Sequence, residues 1–152
     1  MIKNENIAVI TPSYREDKNI EILLDQINLY LPGATVFVVD DSDTLENKKI
    51  AKIVAKHKNA HLISRFKKMG RGSAIITGFK DAIKNKNLLY FFEMDSDLAH
   101  SPKEFSRYLS KLKEKKYDLI IGSRYLSGAK TIGISPNRKI MSIVVNNFYT
   151  IG

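Results

Sequence analysis

The fold of this chain is decided by residues 90–97, whose sequence is YFFEMDSD. The mostly apolar run 88–94 predicts a buried strand, and Asp95 and Asp97 follow directly at its end. In an open α/β sheet, ligands bind beyond the carboxyl ends of the strands, so both carboxylates are expected at a binding site. Carboxylate oxygens suit Mg²⁺ or Mn²⁺, which bind through one or two carboxylates plus substrate phosphates. The stretch therefore predicts a metal–diphosphate site, and the alternative is a solvated turn whose aspartates cap the next helix.

The composition is that of a globular protein with an excess of positive charge. The 152 residues suffice for one domain, and 43% of them are hydrophobic and 27% charged. The absence of cysteine from the sequence excludes disulfides and thiolate metal sites and is compatible with a reducing cytosol. The net charge of +9 favours nucleic acid, an anionic membrane surface or phosphorylated ligands as partners. No apolar run approaches the roughly 20 residues of a membrane span, and no signal peptide is expected.

Strand and helix patterns alternate along the chain. Short apolar runs predict strands at 7–10, 36–39, 61–64, 88–94 and 119–121. Apolar residues at helical spacing predict helices between them, at 20–31, 43–54, 75–83 and 101–112. The second of these helices opens on a capping box, with Asp43 as cap and Glu46 three residues later. The alternation predicts an α/β fold, with a doubly wound, mostly parallel sheet and helices on both faces.

Acidic residues follow two of the predicted strands. Asp41 ends the second strand, and Asp95 and Asp97 end the fourth, so all three are expected on one rim of the sheet. Carboxylates that crowd together repel each other unless a cation or a proton lies among them. Asp40 is expected to be structural and to bond backbone amides at the turn between strand and helix.

Basic residues accompany three further segments. The loop RFKKMGRGSA at 65–74 leads into a helix, which predicts an anion site, although a tight turn would also use its glycines. It lacks the third glycine of a dinucleotide fingerprint and does not follow the first strand. Arg124 leaves the fifth predicted strand and can fork onto phosphate oxygens. Arg138, Ser142 and Asn146 form a polar stripe on an apolar helix, either as its solvent side or facing a phosphate.

These segments, in this order, resemble the family 2 glycosyltransferases, nearest the dolichol-phosphate mannose synthase and polyprenyl-phosphate glycosyltransferase branch. The resemblance covers nearly the whole chain. The matching motifs are TPSYRE at 11–16, VVDDS at 38–42, MGRGSA at 69–74, MDSDLAHSP at 94–102, GSRY at 122–125, and Arg138 followed by Ser142.

The resemblance implies a GT-A fold and the metal-dependent transfer of a hexose to a polyprenyl or dolichyl phosphate. The donor implied is a nucleotide-diphosphate sugar of the GDP-mannose or UDP-glucose type, and the cofactor is Mg²⁺ or Mn²⁺. A membrane surface is an implied partner, nucleic acid is not, and the expected place is the cytoplasmic face of a membrane.

The same resemblance implies a role for individual residues. The nucleotide would be held by Pro12, Tyr14, Glu16, Asp41 and Asp97, and the metal by Asp95 and Asp97. Asp97 and Arg124 would be the catalytic pair, and Arg138 with Ser142 would receive the acceptor phosphate.

Four departures from the family pattern stand out. Arg15 stands where the family usually has asparagine, the loop 40–44 is shorter than usual, and Ala99 cannot supply a third metal ligand. The sequence also stops at Gly152 within an apolar helix, which predicts a single domain, 1–152, incomplete at its acceptor-side end. We expect the unpaired apolar face of 140–151 to cause homo-oligomerisation, membrane adsorption, or fraying after Arg138.

Three alternative functions are consistent with part of the pattern. A Mg²⁺-dependent phosphohydrolase of the haloacid dehalogenase type also uses Asp-x-Asp after a strand, but there the pair normally ends the first strand. A non-catalytic nucleotide-binding module would explain an incomplete chain. Nucleic-acid binding rests on the net charge alone, because no pattern of interleaved aromatic and basic residues accompanies it.

Overall fold

Parallel strands alternate with helices along residues 7–112 of the computed structural model, which describes residues 2–114, 116–123 and 140–142. Contacts divide the chain into two units, Met1–Asp118 and Leu119–Gly152, and all the strands and helices given below belong to the first. The prediction of a single domain stays a prediction.

The elements follow the predicted order. The strands are β1 Ile7–Ser13, β2 Thr35–Asp40, β3 Ala60–Ser64 and β4 Tyr90–Glu93. The α-helices are α1 Asp17–Tyr30, α2 Thr44–Val54, α3 Arg71–Ala82 and α4 Phe105–Leu112, and 3₁₀ turns occupy Asn4–Asn6 and Pro102–Glu104. Among the described helices, none is long and apolar enough to cross a membrane.

The sheet has the strand order β3-β2-β1-β4, with every pairing parallel. The chain runs from β1 outward to β3 and then returns to place β4 on the other side of β1. The order therefore reverses between β1 and β4, and in open α/β sheets this switch point is where ligands bind.

Alternating residues of the strands fill two separate cores. Ile7 and Val9 of β1 pack on one face with apolar residues of α1, α2 and α4, while Ala8 and Ile10 pack on the other face, where α3 lies. The central strands are buried on both sides, as their continuous apolar sequences predict. The predicted doubly wound α/β fold, with helices on both faces, is confirmed.

Helix boundaries follow local signals, with one predicted interaction replaced by another. The Asp43 carboxylate accepts hydrogen bonds from the N–H groups of Leu45 and Glu46, at 3.1 and 3.2 Å, and so caps α2. The backbone N–H of Glu46 is the main cause of the lowered pKa of Asp43. Among the described residues, the reciprocal hydrogen bond of a capping box, from the backbone N–H of Asp43 to the Glu46 carboxylate, is not formed. The Glu46 carboxylate instead accepts from Lys49 Nζ at 2.8 Å.

Two strand predictions need correction. The predicted buried strand 88–94 is shorter, since β4 covers only Tyr90–Glu93. The residues of β4 are half-buried or exposed, because in the described sheet β4 is an edge strand beside β1. The predicted fifth strand at 119–121 was wrong, since these described residues form no strand and Leu119 and Ile121 are 76% and 75% exposed. An apolar run becomes a strand only when a neighbouring strand accepts and donates its backbone hydrogen bonds.

Gly78 allows α3 to lie directly on the sheet. A Cβ atom at this position would stand 2.5 Å from Ile10 Cγ2 and 3.1 Å from Val39 Cγ2, so a larger residue would require the helix or these side chains to move. This close approach sets the height of α3 above β1 and β2, and therefore the place where its first residue, Arg71, meets the rim of the sheet.

Candidate active site

A cleft of about 380 Å³ opens at the carboxyl ends of the strands, at the switch point of the sheet. It is lined by six residues that the sequence predicted for nucleotide and metal: Pro12, Tyr14, Glu16, Asp41, Asp95 and Asp97. Its other lining residues are Ser13, Lys68, Gly70, Arg71, Ala74 and Ser96. The structure thus brings four separate segments of the chain together at one site.

Asp95 and Asp97 present carboxylates at the mouth of the cleft, directly after β4. Asp97 Oδ1 accepts a hydrogen bond from the backbone N–H of Ala99 at 2.9 Å, which fixes the turn after the strand. Asp95 Oδ1 accepts from Arg71 Nε at 2.6 Å. Within the described part of the chain, no hydrogen bond reaches Oδ2 of either carboxylate.

Arg71, which lines the cleft, bridges two acidic side chains. Besides Asp95, its guanidinium pairs through Nη2 with Glu93 Oε1. The hydrogen bond to Asp95 raises the pKa of the guanidinium, and the charges of Asp95, Glu93 and Asp97 add to this effect. A cation of the protein itself thus lies beside Asp95 and Glu93.

Asp41 forms a buried ion pair with Arg65. Arg65 Nε donates to Asp41 Oδ1 at 2.6 Å, and the two side chains are 8% and 5% exposed. The second oxygen of Asp41 accepts from the backbone N–H of Met69 at 2.7 Å. Arg65 also donates to Ser73 Oγ at 2.8 Å and thereby links the loop 65–70 to α3. Asp41 therefore organises the glycine-containing loop as well as lining the cleft.

Asp40 has the structural role expected of it, but with different partners. Its carboxylate is fully buried and accepts from Ser42 Oγ and Asn47 Nδ2, each at 2.7 Å. The prediction had named backbone amides, whereas the structure satisfies both oxygens with side chains. Ser42 Oγ also accepts from the backbone N–H of Arg15, so the network ties the end of β2 to the loop after β1.

Cations surround the exposed ring of Tyr14. Lys68 Nζ lies 4.6 Å from the ring centroid and Arg15 Cζ lies 5.3 Å from it. Arg15 has a φ of 60°, a conformation in which asparagine is enriched, so the asparagine usual in the resembled family suits this backbone better. An aromatic ring beside cations is a suitable surface for a nucleobase attached to phosphate.

The start of α3 offers backbone donors to an anion. Gly70 precedes the helix at φ 88°, and no hydrogen bond from a described side chain caps the first turn. Lys68 and Arg71 flank this point within the same cleft. N–H groups at a helix N-terminus, together with nearby cations, form a site that favours phosphate.

A divalent cation fits the donor set, provided that phosphate completes it. No group of three or more histidine, aspartate or glutamate side chains within the described residues could hold a metal ion. Asp95 and Asp97 supply two hard oxygen donors, and Mg²⁺ commonly binds through one or two carboxylates plus substrate phosphates. The residues therefore fit a metal–diphosphate complex better than a metal ion alone.

The predicted acceptor side lies largely beyond what the structure describes. Arg124 and Arg138 lie outside the described residues. Ser142 is described, is half-exposed, and belongs to the second unit.

Sequence reasoning missed the two arginine pairings and the role of Glu93. Arg65 follows β3 as Asp41 follows β2, and these two parallel strands are neighbours. Because their carboxyl ends lie at the same edge of the sheet, the pairing of Arg65 with Asp41 could have been predicted. Glu93 is an acidic residue within an otherwise apolar strand. This break in the pattern was a signal that Glu93 has a basic partner, which the structure shows to be Arg71. A further missed feature is Ser13, a residue of the cleft lining that is 4% exposed and whose buried hydroxyl has no hydrogen-bond partner among the described residues.

The fold and the cleft define an α/β protein whose ligand site lies at the topological switch point of a parallel sheet. The model of the family described as glycosyl transferase family 2 matches residues 8–151, and the chain therefore belongs to that family. This membership confirms the family predicted from the motifs, and the phosphohydrolase alternative is set aside.

Three relatives are similar over nearly the whole chain. The dolichol-phosphate mannosyltransferase of Pyrococcus furiosus is 33% identical over 138 residues, which are 90% of this chain and 38% of that protein. The polyprenol monophosphomannose synthase of Mycolicibacterium smegmatis is 30% identical over 95% of this chain and 54% of its own length. The undecaprenyl-phosphate mannosyltransferase of Micrococcus luteus is 30% identical, over 90% of this chain and 55% of its own length. The chain thus spans between 38% and 55% of the length of these relatives.

A solved structure supports the fold. Residues 1–349 of S. aureus TarS superpose with a TM-score of 0.52 at 21% identity, over 75% of this chain and 33% of that one. At this identity the likeness concerns the fold alone, and it agrees with the predicted GT-A type.

Proposed function

We propose that this chain is the donor-binding part of a glycosyltransferase that moves a hexose from a nucleotide-diphosphate sugar to a polyprenyl or dolichyl phosphate. The observation that carries the proposal is the cleft, where Asp95, Asp97, Arg71 and the start of α3 surround one space large enough for a diphosphate. The names of the three relatives favour mannose as the sugar and a polyprenyl-type phosphate as the acceptor.

Each predicted residue then has a role. Pro12, Tyr14, Glu16 and Asp41 hold the nucleoside, and Asp95 with Asp97 holds Mg²⁺ or Mn²⁺, whose charge offsets that of the diphosphate. Arg124 serves the donor phosphates, while Arg138 and Ser142 receive the acceptor phosphate at an anionic membrane surface, to which the net charge of +9 is attracted.

The reaction needs no general base. An oxygen of the lipid phosphate is already an anion at neutral pH, so it can attack the anomeric carbon directly. The bond between that carbon and the diphosphate oxygen breaks, and the nucleoside diphosphate leaves with the electron pair. The protein contributes positioning and charge stabilisation, which suits a cleft built from carboxylates and cations.

The Asp97→Asn variant tests the donor site. We expect UDP or GDP to bind wild-type protein at least about tenfold more tightly with Mn²⁺ than in excess chelator, and Asp97→Asn to abolish that difference. The asparagine retains an oxygen for the Ala99 N–H, so the turn should persist. Calorimetric titrations measure both affinities, and Asp81→Asn, at an exposed carboxylate paired with Lys84 on the surface, is the matched control. Equal nucleotide affinity of the wild type in chelator and in Mn²⁺ would contradict the proposal.

The Arg138→Ala variant tests the acceptor side. A longer version of the protein that catalyses transfer should lose about ten- to a hundredfold in rate with polyprenyl phosphate, because one charged hydrogen-bond partner of the phosphate is gone. Donor affinity should stay nearly unchanged, whereas Arg124→Ala should reduce it. Transfer rates and donor titrations are compared for both variants. If Arg138→Ala loses as much donor affinity as Arg124→Ala, the division of roles is wrong.

A nucleotide-binding fragment without catalysis is the second candidate. It is favoured by the share of the relatives' length that this chain spans, 38–55%. Both candidates share the donor cleft, and a transfer assay on the 152-residue chain separates them.

A further inference from the structure

Arg71 occupies one side of the Asp95 carboxylate, the side of Oδ1. Its Nε donates to Asp95 Oδ1 at 2.6 Å, and its Nη2 pairs with Glu93. Arg71 is the first residue of α3, and the close packing at Gly78 fixes the height of that helix over the sheet. The guanidinium is therefore placed by the fold and held from two sides.

The local charge explains why a guanidinium there has consequences for metal binding. Glu93, Asp95 and Asp97 bring three negative charges to this end of the cleft, and Arg71 neutralises one of them. A free divalent ion at Asp95 must share the carboxylate with Arg71 or break the pair, and in either case it stands beside a positive charge.

An ion that arrives with a diphosphate meets a different balance. The two negative charges of a sugar-nucleotide diphosphate cancel the two positive charges of the divalent ion. The complex is therefore neutral and does not repel Arg71. Phosphate oxygens also offer the guanidinium new acceptors in place of Asp95. Glu93 provides a second partner that keeps Arg71 at the cleft when Asp95 is engaged elsewhere.

We propose that Arg71 is a positioning residue that makes this site select a divalent ion bound to diphosphate over a free divalent ion. The inference rests on the proposed function, since it takes Asp95 and Asp97 as the metal-binding pair. It adds a selectivity element built from Arg71 and Glu93.

The test is a titration of the 152-residue protein with Mn²⁺. The electron paramagnetic resonance signal of the free ion measures how much Mn²⁺ remains unbound. Arg71→Gln should bind Mn²⁺ alone about tenfold more tightly than wild type, because the competing positive charge is gone. In the presence of UDP or GDP this advantage should vanish or reverse. Adding Asp95→Asn to Arg71→Gln should remove the gain.

Arg107→Gln is the matched control. Arg107 also pairs with a glutamate, Glu104, at 2.8 Å on the exposed face of α4, and its loss should leave Mn²⁺ affinity unchanged. Arg71 is 53% exposed, so Arg71→Gln should fold, and thermal unfolding verifies this.

The measurements distinguish a failure of this inference from a failure of the proposed function. If wild-type protein binds nucleotide better with Mn²⁺ but Arg71→Gln gains no affinity for free Mn²⁺, the proposed function stands and the inference is wrong. If Mn²⁺ binds no variant with or without nucleotide, both are wrong. A gain in Arg107→Gln equal to that in Arg71→Gln would reduce the effect to net charge and would also overturn the inference.

Discussion

The Asp41→Asn variant is expected to lose about 3–5 kcal/mol in the free energy of unfolding, because breaking a buried ion pair leaves an uncompensated charge. The side chain of Arg65 is only 8% exposed, so in the variant its positive charge would be buried without an anionic partner. In the wild type, one oxygen of Asp41 accepts from Arg65 and the other accepts from the Met69 N–H. Asparagine has only one oxygen that can accept, so its NH₂ group would face one of these two donors. Urea denaturation followed by circular dichroism measures the loss.

Glu104→Gln is the matched control, because it removes the carboxylate from the exposed pair of Arg107 with Glu104. Exposed pairs of this kind contribute about 0–1 kcal/mol. The double variant Asp41→Asn/Arg65→Met should recover part of the stability, since it removes the stranded charge. A loss in Asp41→Asn no larger than that in Glu104→Gln would show that the ion pair does not stabilise the fold.

This ion pair also connects stability to the site. Arg65 links Asp41 to Ser73 of α3, and Asp41 holds the backbone at Met69, so the loop that carries Lys68 and Gly70 depends on it. We expect the double variant to bind nucleotide more weakly than wild type even where it is folded.

The Gly78→Ala variant is expected to lose about 3 kcal/mol, because the added methyl group must push α3 away from the sheet or distort Ile10. The Cβ would stand 2.5 Å from Ile10 Cγ2, a separation that requires something to move. Gly72→Ala is the control in the same helix, since a Cβ there meets nothing within 4 Å. Gly72→Ala should be neutral or slightly stabilising, because alanine favours helix more than glycine does. Equal stabilities of the two variants would contradict the close packing of α3.

Several features were predictable because they depend on short stretches of sequence. The helical spacing of Ile20, Leu23, Leu24 and Ile27 gave α1, and all four are buried as expected. Asp43 was predicted as a cap and is one. Asp41, Asp95 and Asp97 were expected on one rim because parallel strands present their carboxyl ends at the same edge, and all three line one cleft. Pro12, Tyr14 and Glu16, which only the family resemblance implied, line the same cleft.

Other features were not predictable, because they depend on which strands become neighbours. The run 119–121 has the composition of a strand, yet these residues form none, since pairing requires a partner that composition does not specify. The half-buried state of β4 follows from its edge position in the described sheet, where only one neighbour, β1, pairs with it.

By itself, the sequence determined the alternation of strands and helices, the family, and the residues that end the strands. Each of these features depends only on local periodicity or on short motifs. Only the tertiary structure decided that Arg65 pairs with Asp41 and that Arg71 bridges Glu93 and Asp95. These partners lie 22 to 24 residues apart in the chain. They meet because the order β3-β2-β1-β4 and the glycine contact of α3 bring Arg65, at the end of β3, and Arg71, at the start of α3, to the acidic rim. The charges were visible in the sequence, but the distances between them, which set their energies, follow from the packing of the whole sheet.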